Sequence, residues 1–326
     1  MKHTPVSLIR DIRAFIHIKT VRESHFARAS AASVAAPAGV LALGRELHPD
    51  RLTLTVSDKR TDGDGAVTLL LRGDSPRLPA FRPGQYINLL LNDRLFPCFL
   101  SGAPAAAQRG LYEVSADPVA DPDTFAHLAA LPEGKVLVAG PPVGYFFRQP
   151  LRDGDSIAVI VDGTGLGAGL AMQKGDHAAL YLCRDGDNLP EGKEISAETV
   201  FICGRKAFCE TAAEAMSGKR IRVMNTDSPE RDVLRETYSC TVLTGDDRFR
   251  FDCFSDEPLM HALERNGILL LNKCRTGDCS FCRARLTEGN VTHVFDVDDG
   301  RRKADVRFGY IHPCRAFPDS DVTLKY

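Results

Sequence analysis

The rhythm of apolar and polar positions changes along this chain, and each change predicts a different kind of structure. From Arg51 the residues Leu52-Thr53-Leu54-Thr55-Val56 alternate, the mark of a strand with one buried face. Residues 66–71 run apolar between glycine-rich turns, and Phe81-Arg82-Pro83-Gly84-Gln85-Tyr86-Ile87-Asn88-Leu89 reads as a turn feeding a strand. Residues 111–114, 135–138 and 140–146 continue the pattern, and short strands punctuated by Pro and Gly predict a small antiparallel barrel.

From residue 155 the rhythm becomes α/β. Residues 156–161 are continuously apolar, as suits a strand buried on both faces, and lead through Asp162-Gly163-Thr164-Gly165 into a helix-compatible stretch, 166–174. Residues 178–183 and 199–204 repeat the strand pattern, and a helix over 206–216 ends before Gly218. This alternation predicts a parallel, nucleotide-binding sheet. Beyond it, 238–243 and 248–253 read as a hairpin. A helix follows with Ser255 as N-cap, Leu259, Met260 and Leu263 inward, and Gly267 past its end.

At the other end, residues 7–18 fit a short helix, and the small-residue run 27–39 reads as a pliable linker. Arg- and Ser-rich, acid-poor leaders can be transit peptides. Asp11, Glu23 and the lack of a small-residue cleavage site after an apolar core favour a retained extension. The expected boundaries are 1–48 for this extension, 49–150 for the barrel, 151–234 for the α/β unit and 235–326 for the last unit.

The 326 residues suffice for several cores. A net charge of −2 gives no general attraction to nucleic acid or anionic membranes, and no run of eighteen apolar residues spans a bilayer. Ten cysteines are too few for a disulfide-built chain of this size. Six of them (Cys98, Cys183, Cys203, Cys209, Cys240 and Cys253) lie scattered, mostly in apolar runs, so a reducing compartment, the cytoplasm, is expected.

The other four carry the chemistry. Cys274, Cys279 and Cys282 are spaced C-x4-C-x2-C, with Cys314 some thirty residues on, the plant-type [2Fe–2S] ligand pattern. Two sulfide-bridged irons need four thiolates. A short loop wraps them only if it crosses itself tightly, which Gly277 and the small Ser280 permit. A four-cysteine zinc site would pair two Cys-x2-Cys knuckles, and only one is present. A Rieske centre needs two histidine ligands, and His312 is the single histidine in either ligand segment.

On these residues, and on the closing run Pro318-Asp319-Ser320-Asp321-Val322, the stretch from Tyr238 to Tyr326 resembles a plant-type, β-grasp ferredoxin domain. Barrel, α/β unit and ferredoxin domain follow the order of the phthalate dioxygenase reductase group of the ferredoxin reductase-like superfamily, a resemblance covering 49–326. It implies NAD(P)H reducing an FAD or FMN held between barrel and sheet, with single electrons passing to [2Fe–2S] and on to a protein redox partner.

The family's motifs are altered here. Its flavin motif, Arg-x-Tyr-Ser/Thr, falls on Phe96-Pro97-Cys98-Phe99-Leu100-Ser101-Gly102-Ala103-Pro104. In one register Phe96, Cys98 and Phe99 replace arginine, tyrosine and the hydroxyl residue. In the other, Arg94-Leu95-Phe96-Pro97 keeps the arginine and an aromatic. Losing a charged phosphate clamp weakens binding by about 1.5–3 kcal/mol. The pyridine-nucleotide motif appears as Asp162-Gly163-Thr164-Gly165-Leu166-Gly167-Ala168, with Asp162 where phosphates would pass and Arg205 as the compensating cation. As a purely structural strand-to-helix turn this stretch is equally well explained.

The segment Cys203-Gly204-Arg205 replaces the family's Cys-Gly-Pro; Cys203 reads either as a nicotinamide neighbour or as a buried structural thiol. Cys203 and Cys209 read as core filling rather than a redox pair, and 296–303 as a solvated hairpin or, alternatively, a docking surface for a redox partner. Asp278 is expected to lower the cluster potential towards or below about −400 mV. Arg184, beside Asp185 and Asp187, selects no 2′-phosphate clearly.

Two functions remain. One is a flavin-dependent NAD(P)H oxidoreductase with a [2Fe–2S] outlet. The other is a non-enzymatic [2Fe–2S] relay or interaction protein whose reductase-like half has lost flavin, nucleotide or both.

Overall fold

The computed structural model describes residues 38–92, 94–149, 153–154, 156–184, 187–227, 235–277, 279–294 and 301–326. The expected helix at 7–18, most of the run 27–39, Asp278, residues 296–300 and the boundaries at 150/151 and 234/235 lie outside them.

The first strands are β1 (Leu52–Thr61), β2 (Val67–Gly73), β3 (Tyr86–Leu91), β4 (Arg94–Phe99), β5 (Leu111–Ala116) and β6 (Val136–Ala139). They form one antiparallel sheet in the order β4-β3-β6-β1-β2-β5. Its edges meet where Leu100, just past β4, bridges Val114 of β5, so the sheet curls into the expected barrel. Alternate residues supply the core: Leu52, Leu54 and Val56 of β1, Leu69 and Leu71 of β2, Phe96 and Cys98 of β4. The stretch 140–146 is no full strand; it contributes only a bridge from Val143 to Tyr86.

The second sheet is parallel, in the order β10 (Arg220–Asn225), β9 (Thr199–Gly204), β7 (Ile157–Val161), β8 (Ala179–Leu182). All residues of β7 and β9 are buried, as the continuous apolar runs require. The order reverses between β7 and β9. The crevice at their carboxyl ends is therefore where open α/β sheets take ligands.

The third sheet runs β12 (Asp247–Phe254), β11 (Thr237–Thr244), β17 (Val322–Lys325), β13 (Ala284–Glu288), β15 (Tyr310–Ile311). Its core is Cys240, Val242, Leu259, Leu263, Ala284, Ile311 and Leu324. The helix on this sheet is Leu259–Arg265, shorter than expected. Pro258 is its N-cap, while the Ser255 hydroxyl instead accepts from the Glu236 N–H at 2.9 Å. Gly267 closes its C-terminus at φ +77°, as expected.

One element was not expected, and it begins at the last two residues of the stretch read as a linker. Residues Ala38–Leu47 form a helix, α1, that packs on Leu259–Arg265. A Cβ on Gly44 would meet the Glu264 carbonyl oxygen at 2.8 Å, so glycine is what allows this approach. Among the described residues no helix is long and apolar enough to cross a membrane.

Candidate iron–sulfur centre and the neighbouring crevice

The helix Leu259–Arg265 sets the position of the cysteine loop. Glu264, 3% exposed, receives both Nη atoms of Arg275, with Nη1 at 3.1 Å, and lies 3.4 Å from His48 at the end of α1. Arg275 is held at φ +61°, Gly277 at +85° and Ser280 at +57°. A left-handed residue with a side chain costs roughly 1–2 kcal/mol, so the Glu264 clamp stabilises the turn that brings the loop back on itself. Gly277 takes the left-handed conformation that glycine favours at such a turn. From the barrel side, the Gln149 amide donates to the Thr276 hydroxyl at 2.9 Å.

The structure brings the four cysteines together as two pairs. The sulfurs of Cys282 and Cys314 lie 3.4 Å apart, buried with Met260. Cys274 accepts from the Thr276 N–H at 3.4 Å, and it lies close enough to Cys279 for each thiol to shift the other. Hydrogen bonding with Cys314 holds Cys282 below the ordinary thiol value, whereas the same bond and burial push Cys314 well above it. A thiol pair this close would ionise fully only with a cation nearby, the charge that an iron held by Cys282 and Cys314 would supply. Two sulfurs about 2.3 Å from one tetrahedral metal would stand ~3.8 Å apart, close to the spacing found. Among the described residues no three Cys, His, Asp or Glu side chains converge as a single metal site. Two pairs are what a two-iron cluster takes, one pair per iron, so these residues fit [2Fe–2S]. His312 is fully buried.

The nucleotide crevice presents the opposite arrangement. Asp162, at the carboxyl end of β7, is 2% exposed and its carboxylate is fully engaged. One oxygen accepts from the N–H groups of Thr164 (2.8 Å) and Gly165 (3.2 Å) and from the Thr164 hydroxyl. The other accepts from the Arg205 N–H at 2.9 Å and its Nε at 3.4 Å. These are the donors that a strand-to-helix turn offers a pyrophosphate. The next helix, Lys206–Ala215, is treated likewise: Asp227 accepts from the Lys206 N–H at 2.7 Å. Both helix N-termini at the switch point are therefore capped by the protein's own carboxylates.

The glycines of this turn serve packing. A Cβ on Gly165 would strike the Cys203 carbonyl oxygen at 2.3 Å, and one on Gly167 would strike Phe99 at 2.8 Å. Gly163 and Thr164 line the crevice, whereas Gly204 faces Asp162 from the end of β9. Cys203 is fully buried among Val159, Val161 and Phe201, so of its two readings the structural thiol matches its position. Cys209, pushed up to about 12 by burial, donates to the Gly204 and Met224 carbonyls. Arg184 does not stand alone. It pairs with buried Asp117 at 3.1 Å and reaches Asp64 at 3.4 Å, which leaves no free guanidinium for a 2′-phosphate.

The flavin-motif residues divide by face. Phe96 and Cys98 belong to the barrel core, although Cys98 also borders the cavity between barrel and sheet, so in the first register the residue standing for arginine is the one turned away from that cavity. Ser101 is fully buried and accepts from the Ser115 hydroxyl at 2.8 Å. Arg94 is exposed, 3.5 Å from Asp123. Pro97 and Phe99 do reach a cavity of about 300 Å³ between barrel and sheet, which Tyr86, Thr164 and Arg205 also line. The cavity suits a flat ring, but its one arginine is already bonded to Asp162.

Sequence reasoning missed helix α1, its His48 contact and the Asp227 cap. The sequence signal for the first was Gly44 within an otherwise helix-favouring run. Asp227 has no local signature, because its partner lies 21 residues away.

Residues 243–319 match the 2Fe-2S iron-sulfur cluster binding domain family, so the C-terminal part of this chain is such a domain. It is 29% identical over 89 residues to Ferredoxin-2 of Synechococcus sp., covering 27% of this chain and 83% of that protein. The chain is also 33% identical over 76 residues to the ferredoxin–NAD(+) reductase component of the alkene monooxygenase system of Xanthobacter autotrophicus, covering 23% of each chain. The matched stretch thus spans about a quarter of that relative. Among solved structures, phthalate dioxygenase reductase is similar over 85% of this chain and 98% of its own, at 15% identity and a TM-score of 0.44.

Proposed function

We propose that this chain is an electron-transfer protein that exchanges single electrons with a protein partner through a [2Fe–2S] cluster held by Cys274, Cys279, Cys282 and Cys314. The observation that carries this reading is the two sulfur pairs inside a domain matched as iron–sulfur binding. The cluster supplies one-electron chemistry; the chain holds it, anchors its loop through Glu264 and Arg275, and screens it from water. The relay form of this function is favoured by Asp162, whose carboxylate fills the donors a dinucleotide needs.

A second reading has NAD(P)H and a flavin, FAD or FMN, feeding the cluster. The order of the three sheets favours it, as do the cavity beside Phe99 and Tyr86 and the naming of a relative as a reductase component. It requires the Asp162 carboxylate to release its donors.

Anaerobic purification, acid release of any flavin and titration with NADH and NADPH separate the two. The relay reading expects cluster absorbance, no stoichiometric flavin even after reconstitution, and no bleaching by either nucleotide. A tightly held flavin reduced by NADH or NADPH would establish the second reading instead.

A further inference from the structure

The loop that holds the cysteines presents a surface that nothing in the fold requires. Phe281, between Cys279 and Cys282, is 56% exposed, and Leu269 and Leu271, leading into the loop, are 74% and 71% exposed. Lys273 lies 5.8 Å from the Phe281 ring and joins these apolar groups. The surface continues through Arg283, which bonds Asp305 at 3.2 Å and stacks over Tyr310 at 5.3 Å. It ends on the helix Lys303–Arg307, where Val306 and the following Phe308 are 47% and 58% exposed and Arg307 lies over the Phe308 ring.

Its described charge is mostly positive. Among the described residues Lys273, Arg285, Arg302, Lys303 and Arg307 are exposed and make no ion pair. The described acids of the span are both engaged, Asp305 by Arg283 and Glu288 by the Thr323 hydroxyl. Residues 273–315 carry nine Lys and Arg against six Asp and Glu, a net +3 in a chain of net −2, so the remainder carries −5.

We propose that this face docks an acidic redox protein: exposed carboxylates of the partner meet Arg285, Arg302, Lys303 and Arg307, while Phe281 and Phe308 bury against its apolar centre. The inference rests on the electron-transfer reading and names the partner's chemistry. Aromatic anchors inside a charged rim are the composition of a protein interface, and opposite charge raises the encounter rate. Docking here places the partner against Phe281, which directly precedes Cys282 and follows Cys279 by two residues, and electron transfer falls steeply with distance. A polyanion fits less well. Asp296, Asp298 and Asp299 directly precede the cations in sequence, and discrete carboxylates on a protein can avoid them where a continuous phosphate chain cannot.

The test uses the whole chain, reduced with dithionite and desalted, with visible absorbance confirming its cluster. It is mixed in a stopped-flow instrument with two ferric haem proteins, the acidic soluble domain of cytochrome b5 and the basic cytochrome c. Each reduced cluster gives one electron to one ferric haem, leaving an oxidised cluster and a ferrous haem. The rate with the acidic protein is expected to fall about tenfold or more between low and high ionic strength, while that with the basic protein stays flat or rises.

The triple variant Arg302→Glu, Lys303→Glu, Arg307→Glu should lose about tenfold with the acidic protein at low salt and invert its salt dependence. Phe308→Ala should slow exchange at all salts, and Lys193→Glu, on the α/β unit, should change nothing. A coloured protein that shows no salt dependence or no preference for the acidic haem protein, or whose triple variant is unchanged, overturns the docking face alone. Binding of a DNA duplex that the triple variant loses, with haem exchange unaffected, overturns it in favour of nucleic acid. A colourless protein that still binds the acidic haem protein in a salt-sensitive way contradicts the electron-transfer reading and leaves the face standing.

Discussion

The cysteine loop and the nucleotide crevice answer the same question, how a protein prepares a site for a charged guest, in opposite ways. At the loop, four thiols gather in two pairs whose full ionisation needs cations that the chain itself does not supply. At the crevice, the donors that would receive an anionic guest are already bonded to Asp162 and Asp227. A site that leaves its charge uncompensated is prepared to bind; a site that has satisfied itself must first give something up. The first arrangement stabilises the loaded protein and the second stabilises the empty one.

The largest expected effect is at the loop. Cys282→Ser or Cys314→Ser should abolish the visible spectrum, because an unpaired thiol cannot complete an iron's coordination. Retention of full absorbance by either variant, with iron unchanged, would break the contrast at its strong end. Next is the anchor. Glu264→Gln removes the carboxylate that Arg275 and His48 share and leaves a guanidinium poorly paired. The expected loss is about 3 kcal/mol of stability, read by denaturant titration, together with faster cluster loss.

At the crevice, Asp162→Gly frees the Thr164, Gly165 and Arg205 N–H groups. NADH affinity, followed by fluorescence titration, should rise about 10- to 100-fold, since hydrogen bonds to charged groups contribute about 1.5–3 kcal/mol each. Equal affinities in parent and variant would show that the carboxylate is no obstacle. The smallest effect at neutral pH is a pH dependence that sets in only below about pH 6.5. Burial, and then the charges of His48, Arg275 and Arg265, push His261 down to about 3 from the ordinary 6.5. The unfolded chain therefore takes up this proton first. Stability from His261 is complete above pH 6.5 and declines as pH falls towards 3, by no more than about 1.4 kcal/mol per pH unit. His261→Gln should flatten that limb of the stability curve relative to the parent protein.

Much of this architecture was legible in the sequence, for physical reasons that differ by region. The alternation in β1 and the unbroken apolar runs of β7 and β9 fixed faces and burial, because a pleated strand must place successive residues on opposite sides. The left-handed turn at Gly277 was legible because a tight turn is a local requirement that glycine meets within one loop. Helix α1 was not: residues 40–47 follow a small-residue run and carry no local signal of their partner, while Gly44 depends on a carbonyl over two hundred positions away. The flavin register was unreadable for a related reason. Which of Phe96, Pro97, Cys98 and Phe99 faces the cavity is decided by the barrel's closure through Leu100 and Val114, a contact between strands. Asp162 lay between. Its clash with phosphate and the Arg205 partner were foreseeable, but the number of its donors required the fold.

The most direct test is the metal itself. Chain purified without oxygen should contain two irons and two acid-labile sulfides, and after dithionite reduction should give the low-temperature electron paramagnetic resonance signal of a one-electron-reduced [2Fe–2S] centre. Zinc in its place, or a colourless protein that gains no signal when iron and sulfide are supplied, would contradict the account.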